Sequence, residues 1–489
     1  MKKQRSLYTA FGYAFAVFMV LLAGISLFTH DNPFLELGTV QLLIVTAIVG
    51  CALTGALYLW DKKGKVPQRT WLVVLILFAV YFAAQMFVAV KLQVWARGEW
   101  DYTRVFREAE ERVLHGMAPT DYFGKFPNNV PYYWVLCGFF GILHFFGVTE
   151  FMMPLLLLNM ACISGSLLMM YSMARRLVGK KWALPVLVLG MLCPGLLLYV
   201  PIAYTDTLSL PFVCGAAYLW LLAREQHQKE NTQKTMLFAG LAGVVAALGA
   251  VLKVSVAILL IAFVLDALIF WNGRQRWKSL LVGLVCFALV LFGGNTLAQS
   301  NMPDYNFEKI PFTHWIMMGL HGKGTYWDDD YELTLSYETY EERMEFNKQE
   351  IARRLQEMGP LGFLDHCREK LSFMISDGTY YAPSKLNRAA KEPCIWHEFV
   401  IPGGKYAGFL YYLADGMQVC LLLACALGSW RAAKSGKHEM TVFRVAWFGL
   451  VLFLLLWENR ARYLVNFIPL FLLFAGAGLL PREKSNTIE

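Results

Sequence analysis

Apolar runs about as long as one bilayer crossing, roughly 20 residues, recur along this chain, and they dictate the solvent in which it folds. One of them, MLFAGLAGVVAALGAVLKVSVAILLIAFVLDALIFW at residues 236–271, carries a single basic residue, Lys253, near its middle. A lysine at the centre of a bilayer costs about 2.5–3.5 kcal/mol even on lenient insertion scales. Thirty-six residues are too many for one crossing and enough for two. Lys253 is therefore expected at the turn between two spans, at a membrane interface where its ammonium reaches water or a headgroup.

Composition supports that reading. Of 489 residues, 57% are hydrophobic and 16% charged, more apolar surface than a water-soluble core hides. The runs are too long for barrel strands, and a helix satisfies its own backbone in lipid. The expected fold class is an all-α polytopic membrane protein. The net charge of +8 implies no nucleic-acid partner, because Lys and Arg in such chains gather in cytoplasmic loops and set orientation.

The basic clusters divide the chain. They are Lys2, Lys3 and Arg5; Lys62, Lys63, Lys65 and Arg69; Arg175, Arg176, Lys180 and Lys181; Arg224, Lys229 and Lys234; Arg274, Arg276 and Lys278; Arg431, Lys434 and Lys437; and Arg482 with Lys484. With these on the cytoplasmic side, about twelve spans result and both termini are cytoplasmic. The expected spans are 8–28, 39–60, 71–91, 151–174, 183–202, 207–223, 235–252, 255–271, 279–298, 406–430, 441–457 and 463–480. The first reads as an uncleaved span, because no small-residue cleavage site follows its apolar run. The segment 131–147 is too short to cross and reads as a helix at the outer face. Four regions follow: N-terminal spans 1–70, a core at 71–298 with a first external loop at 92–150, a polar external insert at 299–404, and C-terminal spans at 405–489.

In the first external loop, Tyr102, Val105, Phe106, Ala109 and Val113 recur at helical spacing opposite Arg104, Arg107, Glu108, Glu111 and Arg112, an amphipathic surface helix. Asp101 stands immediately before it, and one reading of Asp101 is simply an N-cap. The insert carries a helical stretch, YETYEERMEFNKQEIARRLQEMG, closed by Gly359-Pro360. Its Asp328, Asp329 and Asp330 are a weak candidate for a divalent metal, and equally a solvated acidic run. His314, His321, His366 and His397 lack ligand spacing. Cys367 and Cys394 are free to pair or not. The remaining cysteines lie mostly in apolar spans, and no CxxC pair exists.

Two short external loops complete the candidate site. VPIAYTDTLSLP places Asp206 at the outer end of a span, and WENRARYLVNFIP places Glu458, Arg460, Arg462 and Tyr463 between the last two. Arginines on the outer face run against the usual bias. Ionisable residues near spans are functional candidates by default, and Asp101, Asp206, Lys253, Arg460 and Arg462 are expected to converge at one face. The alternative for Lys253 is a snorkelling anchor.

These residues, in order along the chain, resemble the GT-C membrane glycosyltransferases, the superfamily that includes protein O-mannosyltransferases and aminoarabinose transferases. The likeness covers roughly residues 70–300 and 440–480. It rests on Asp101 and its surface helix, the stretch from ARRLVGKK to YTDTLSLP, GAVLKVSVAILLI, and ENRARYLVNFIPL. The resemblance implies a GT-C-like helical bundle with external juxtamembrane helices. It also implies transfer of a sugar from a polyprenyl-phosphate donor to a cell-envelope glycan, lipid or protein acceptor at the outer face of a cell membrane, in a bacterium by expectation. Asp101 would be the general base, Asp206 would orient the sugar or share that role, and Lys253, Arg460, Arg462 and Tyr463 would hold the donor. A divalent metal is possible. A transporter or lipid flippase is the competing class, but its sites tend to lie near the midplane between repeated halves, and no repeat is visible here. A non-catalytic scaffold has no positive sign.

Overall fold

A computed structural model describes residues 2–63, 66–94, 100–304, 309–388 and 390–480. Lys65, Arg482 and Lys484, and the side chains of Lys2, Lys3 and Arg5, lie outside the described residues. Within them the chain is helical and forms no strand, only a single bridge between Val94 and Ala390.

Three long apolar helices come first, α1 (Lys2–Phe28), α2 (Thr39–Lys63) and α3 (Thr70–Lys91). Four helices follow in the first loop and beyond it: α4 (Asp101–His115), the short α5 (Tyr122–Lys125), α6 (Val130–Phe145) and the long α7 (Met152–Leu177). Next come α8 (Lys180–Met191), α9 (Pro194–Leu198), α10 (Thr205–Leu208), α11 (Leu210–Gln228) and α12 (Thr232–Leu252). Then α13 (Ile258–Phe270) and α14 (Gly273–Ser300) lead into the insert, built from α15 (Thr313–Gly319), α16 (Asp328–Leu335), α17 (Tyr340–Ile375) and α18 (Ala382–Arg388). The chain closes with α19 (Ala407–Ser435), α20 (Thr441–Leu456) and α21 (Ile468–Leu479).

Among the described residues, nine helical segments are long and apolar enough to cross a membrane, and Val254–Phe270 and Thr441–Leu456 are shorter apolar helices. The expected span 183–202 is not one helix. Pro185 lies inside α8, and the chain breaks at Leu192–Cys193 before Pro194 starts α9. A proline lacks the N–H that would continue a helix and suits its first turn instead. The segment 131–147 is helical as α6, packed on α4, and is not among the nine.

Charge sorts the bundle ends. One end carries Arg176 on Glu225 at 2.7 Å, Lys181 on Asp61 at 2.5 Å, and Arg224 on Asp266 at 3.5 Å. The other collects the C-termini of α3 and α12, the N-termini of α10 and α21, and the insert.

The insert folds down onto that second end. Gly359, at φ +60°, stops the first half of α17, and Pro360 opens the second. The second half drives Lys370 into the bundle, where its buried ammonium donates to the carbonyls of Gly319, Leu455 and Trp457 at 2.7–2.9 Å. Of the acidic run, Asp330 is buried and takes the Arg354 guanidinium on both oxygens, at 2.6 and 3.0 Å, with His321 Nδ1 at 3.0 Å. It is neither a solvated loop residue nor free to bind a metal.

That pair sets a pH dependence. Burial alone would raise the Asp330 carboxyl, but the Arg354 fork and His321 hold it below the usual carboxylate range. A depressed folded-state value contributes stability above the unfolded value of about 3.9 and loses it as pH falls through the folded one. Thermal melts between pH 7 and pH 3 should therefore flatten in Asp330→Asn relative to wild type. Parallel curves would remove Asp330 from the acid response.

Candidate functional site

The residues around Asp101 build a chain of hydrogen bonds across four segments. Trp100 holds the N-cap position of α4 in extended backbone, with no side-chain cap bond, so Asp101 is the first helical residue and does not cap. Its Oδ1 instead accepts the Tyr122 hydroxyl at 2.7 Å. Asn129 fixes that hydroxyl with Nδ2 at 2.6 Å, and its Oδ1 accepts the Tyr204 hydroxyl at 2.8 Å. Asp101 Oδ2 makes no hydrogen bond among the described residues. A carboxylate held by one oxygen and free at the other is arranged to take a proton.

Lys253 stands at the break between α12 and α13 in extended backbone, and its ammonium is engaged by a carboxylate. It forms an ion pair with Asp206, whose side chain is buried while that of Lys253 keeps 11% exposure, and lies 5.4 Å from the centre of the Tyr463 ring. Removing one partner of a buried pair strands a charge, at a cost of about 3 kcal/mol or more. Lys253→Met and Asp206→Leu should each lower the unfolding midpoint in nanodiscs, and the double variant should recover most of the loss. Additive losses would mean the two are not energetically coupled.

Arg462 extends the cluster. It donates from Nη2 to the Tyr463 hydroxyl at 3.2 Å and packs 6.0 Å from the Tyr204 ring. Its Nε is buried without a hydrogen-bond partner, as are Arg460 Nε and Trp100 Nε1. Arg460 lies over Tyr381 at 5.2 Å, with Glu458 at a loose 3.5 Å.

Lys385, on α18 of the insert, was not singled out by sequence. It is 4% exposed and stands 4.5 Å from the Trp100 ring, with no carboxylate at ion-pair distance among the described residues. Burial, then the charges of Arg462, Arg388 and Arg460, push its ammonium well below the usual lysine range, with Asp101 opposing. The loop that delivers it is strained. Tyr380 and Tyr381 both adopt left-handed backbone, φ +56° and +65°, a cost of about 1–3 kcal/mol each that persists only where surroundings impose it. Here Asp377 accepts from Thr379 N and Tyr381 N, and Asp415 from Gly378 N, all at 2.7–2.8 Å. The Tyr380 ring then occupies the space above Gly195, where any added Cβ would lie 2.4 Å from it.

All six residues expected from sequence, Asp101, Asp206, Lys253, Arg460, Arg462 and Tyr463, thus lie in one connected region at one end of the bundle. Among the described residues, no three of His, Cys, Asp and Glu converge as a metal-ligand set. Cys367 and Cys394 are both free thiols.

A family model described as "conserved hypothetical integral membrane protein" matches residues 2–480. The chain belongs to that family. This integral membrane protein has no match among curated proteins. The family description fixes the membrane class. Among the described residues, Lys385 and Arg462 are cations with no carboxylate at ion-pair distance, next to a carboxylate with a free oxygen. Such a group suits a reaction that needs a proton removed and an anion held.

Proposed function

We propose that this protein is a glycosyltransferase of GT-C type that moves a sugar from a polyprenyl-phosphate donor to a hydroxyl acceptor at the outer membrane face. In this reading the nine long helices, the two shorter ones and the broken α8–α9 pair make up about twelve crossings, and the cluster lies outside. The observation that carries the proposal is the placement of Asp101, with Oδ2 free, beside Lys385 and Arg462, which have no carboxylate at ion-pair distance among the described residues, with the loosely paired Arg460 next to them.

Asp101 accepts the proton of the acceptor hydroxyl as its oxygen attacks the anomeric carbon. The bond from that carbon to the phosphate oxygen breaks, and polyprenyl phosphate leaves with the electron pair. Arg462, Arg460 and Lys385 stabilise the charge that grows on the phosphate. Tyr463 orients Arg462, and the Lys253–Asp206 pair holds the turn beneath it, so that Lys253 serves the phosphate through geometry and long-range charge. Asp206 is occupied by Lys253 and leaves the base role to Asp101.

The test is turnover. Purified protein in bilayers is incubated with a panel of polyprenyl-phosphate sugars and a membrane extract as acceptor source, and polyprenyl phosphate release is followed by mass spectrometry. Release with one donor is expected. Folded protein that releases none from any donor would overturn the reading in favour of transport.

A further inference from the structure

A second feature at the same end of the molecule adjoins the donor cluster through Arg460. A cleft of about 420 Å³ opens between the α1–α2 connection, the 322–327 loop and the second half of α17, within the size range of small-molecule sites. Trp327, Phe373, Tyr381 and Pro33 supply its apolar surface, and Lys323, Thr325, Glu369 and Arg460 its polar groups. Phe373 is buried at the back, and Trp327 is 41% exposed.

The charges in this cleft are balanced, unlike those of the cluster beside it. Lys323 is paired with Asp31 at 2.6 Å, and Arg460 faces Glu458. Glu369 adds a carboxylate, next to Arg368 at 3.6 Å. Donors and acceptors therefore ring an aromatic surface with no surplus of positive charge. That combination suits a ligand with many hydroxyls and no charge. Ring C–H faces pack on aromatic side chains, and the hydroxyls bond to ammonium, guanidinium, hydroxyl and carboxylate groups.

The cleft also joins the reaction centre. Arg460 and Tyr381 are walls of both. A run of ring contacts, Tyr326 to Tyr331 at 6.2 Å, Tyr331 to Phe126 at 6.1 Å and Phe126 to Tyr122 at 5.1 Å, joins the residue next to Trp327 to the hydrogen-bond partner of Asp101. We infer that the cleft is the acceptor subsite and that the acceptor presents an uncharged saccharide there, an assignment that rests on the transferase reading above. The acceptor hydroxyl then reaches Asp101 from the side opposite the membrane, while the donor approaches along the bundle.

Ligand-observed saturation-transfer NMR on the full chain in nanodiscs, without donor, tests this with three neutral disaccharides: lactose, cellobiose and chitobiose. The comparison probes are lactose 6-phosphate and a serine-containing tripeptide amide. At least one neutral disaccharide is expected to bind, with affinity lowered tenfold or more by Trp327→Ala, recovered in part by Trp327→Phe, and lowered several-fold by Glu369→Gln. Glu369 lies on the helix surface, so its variant keeps the test decisive if Trp327→Ala fails to fold. No disaccharide binding, binding indifferent to both positions, tenfold tighter binding of the phosphorylated sugar, or binding of the peptide alone would each overturn the assignment. Disaccharide binding sensitive to Trp327 in a protein that releases no polyprenyl phosphate would keep the cleft and sink the transferase. Release with an acceptor KM unchanged in Trp327→Ala would do the reverse.

Discussion

Asp101→Asn should lower the rate of polyprenyl phosphate release by about 10²–10⁴-fold, the usual worth of a positioned general base, while the donor still binds. The asparagine is isosteric and keeps an oxygen to accept the Tyr122 hydroxyl, 2.7 Å away in the native site, so the fold of the loop should persist. What disappears is the basic lone pair on Oδ2. Tyr122→Phe offers the complementary case. Tyr122 acts only through Asp101, by holding one oxygen so that the other points at the acceptor, and through Asn129 that hold extends to Tyr204. Its loss should reduce kcat roughly tenfold with donor KM little changed, because a carboxylate that swings spends less time in line. Equal turnover in wild type and Asp101→Asn would remove Asp101 as base and leave the loop with a structural role.

The sequence made some of this legible and hid the rest, for physical reasons. Lys253 could be placed at a turn because a lone charge inside an apolar run has few tolerable depths in a bilayer. Its partner could not, since Asp206 lies in another segment and only the packing of α11, which follows it, against α12 brings the two together. The Asp101 helix was readable from its apolar spacing, and Tyr102, Val105, Phe106 and Ala109 are the buried face. Whether Asp101 capped that helix was not, because the choice depends on the backbone of Trp100. The span expected at 183–202 failed where apolarity outweighed the signal of Pro185 and Pro194. Lys385 was invisible for a different reason. It sits in a polar insert among tyrosines, and becomes a buried cation only when the Asp377–Tyr381 loop is pinned in left-handed backbone against the bundle.

Lys385→Met carries the other large expected effect, and its sign separates function from structure. Burying an ammonium without a paired carboxylate is costly, so replacing it with an apolar side chain of similar length should leave the unliganded protein as stable or more stable. The same change should weaken binding of a polyprenyl-phosphate donor by about 10²–10³-fold, in keeping with roughly 2–5 kcal/mol for truncating one partner of a buried charge contact. A proton should be linked to that contact. Burial and the nearby Arg462, Arg388 and Arg460 hold Lys385 well below the ordinary lysine range in the free site, and a phosphate placed among these cations favours the charged ammonium. Its value therefore rises on binding, protons are taken up, and donor affinity falls as pH climbs through the free-state value. Titration calorimetry in buffers of differing ionisation enthalpy should register that uptake in wild type and lose it in Lys385→Met. Lys385→Arg should restore part of the affinity without the uptake, because a guanidinium stays charged in both states. A methionine variant that binds donor like wild type, or loses binding only together with its fold, would return Lys385 to the scaffold and leave the anion to Arg460 and Arg462.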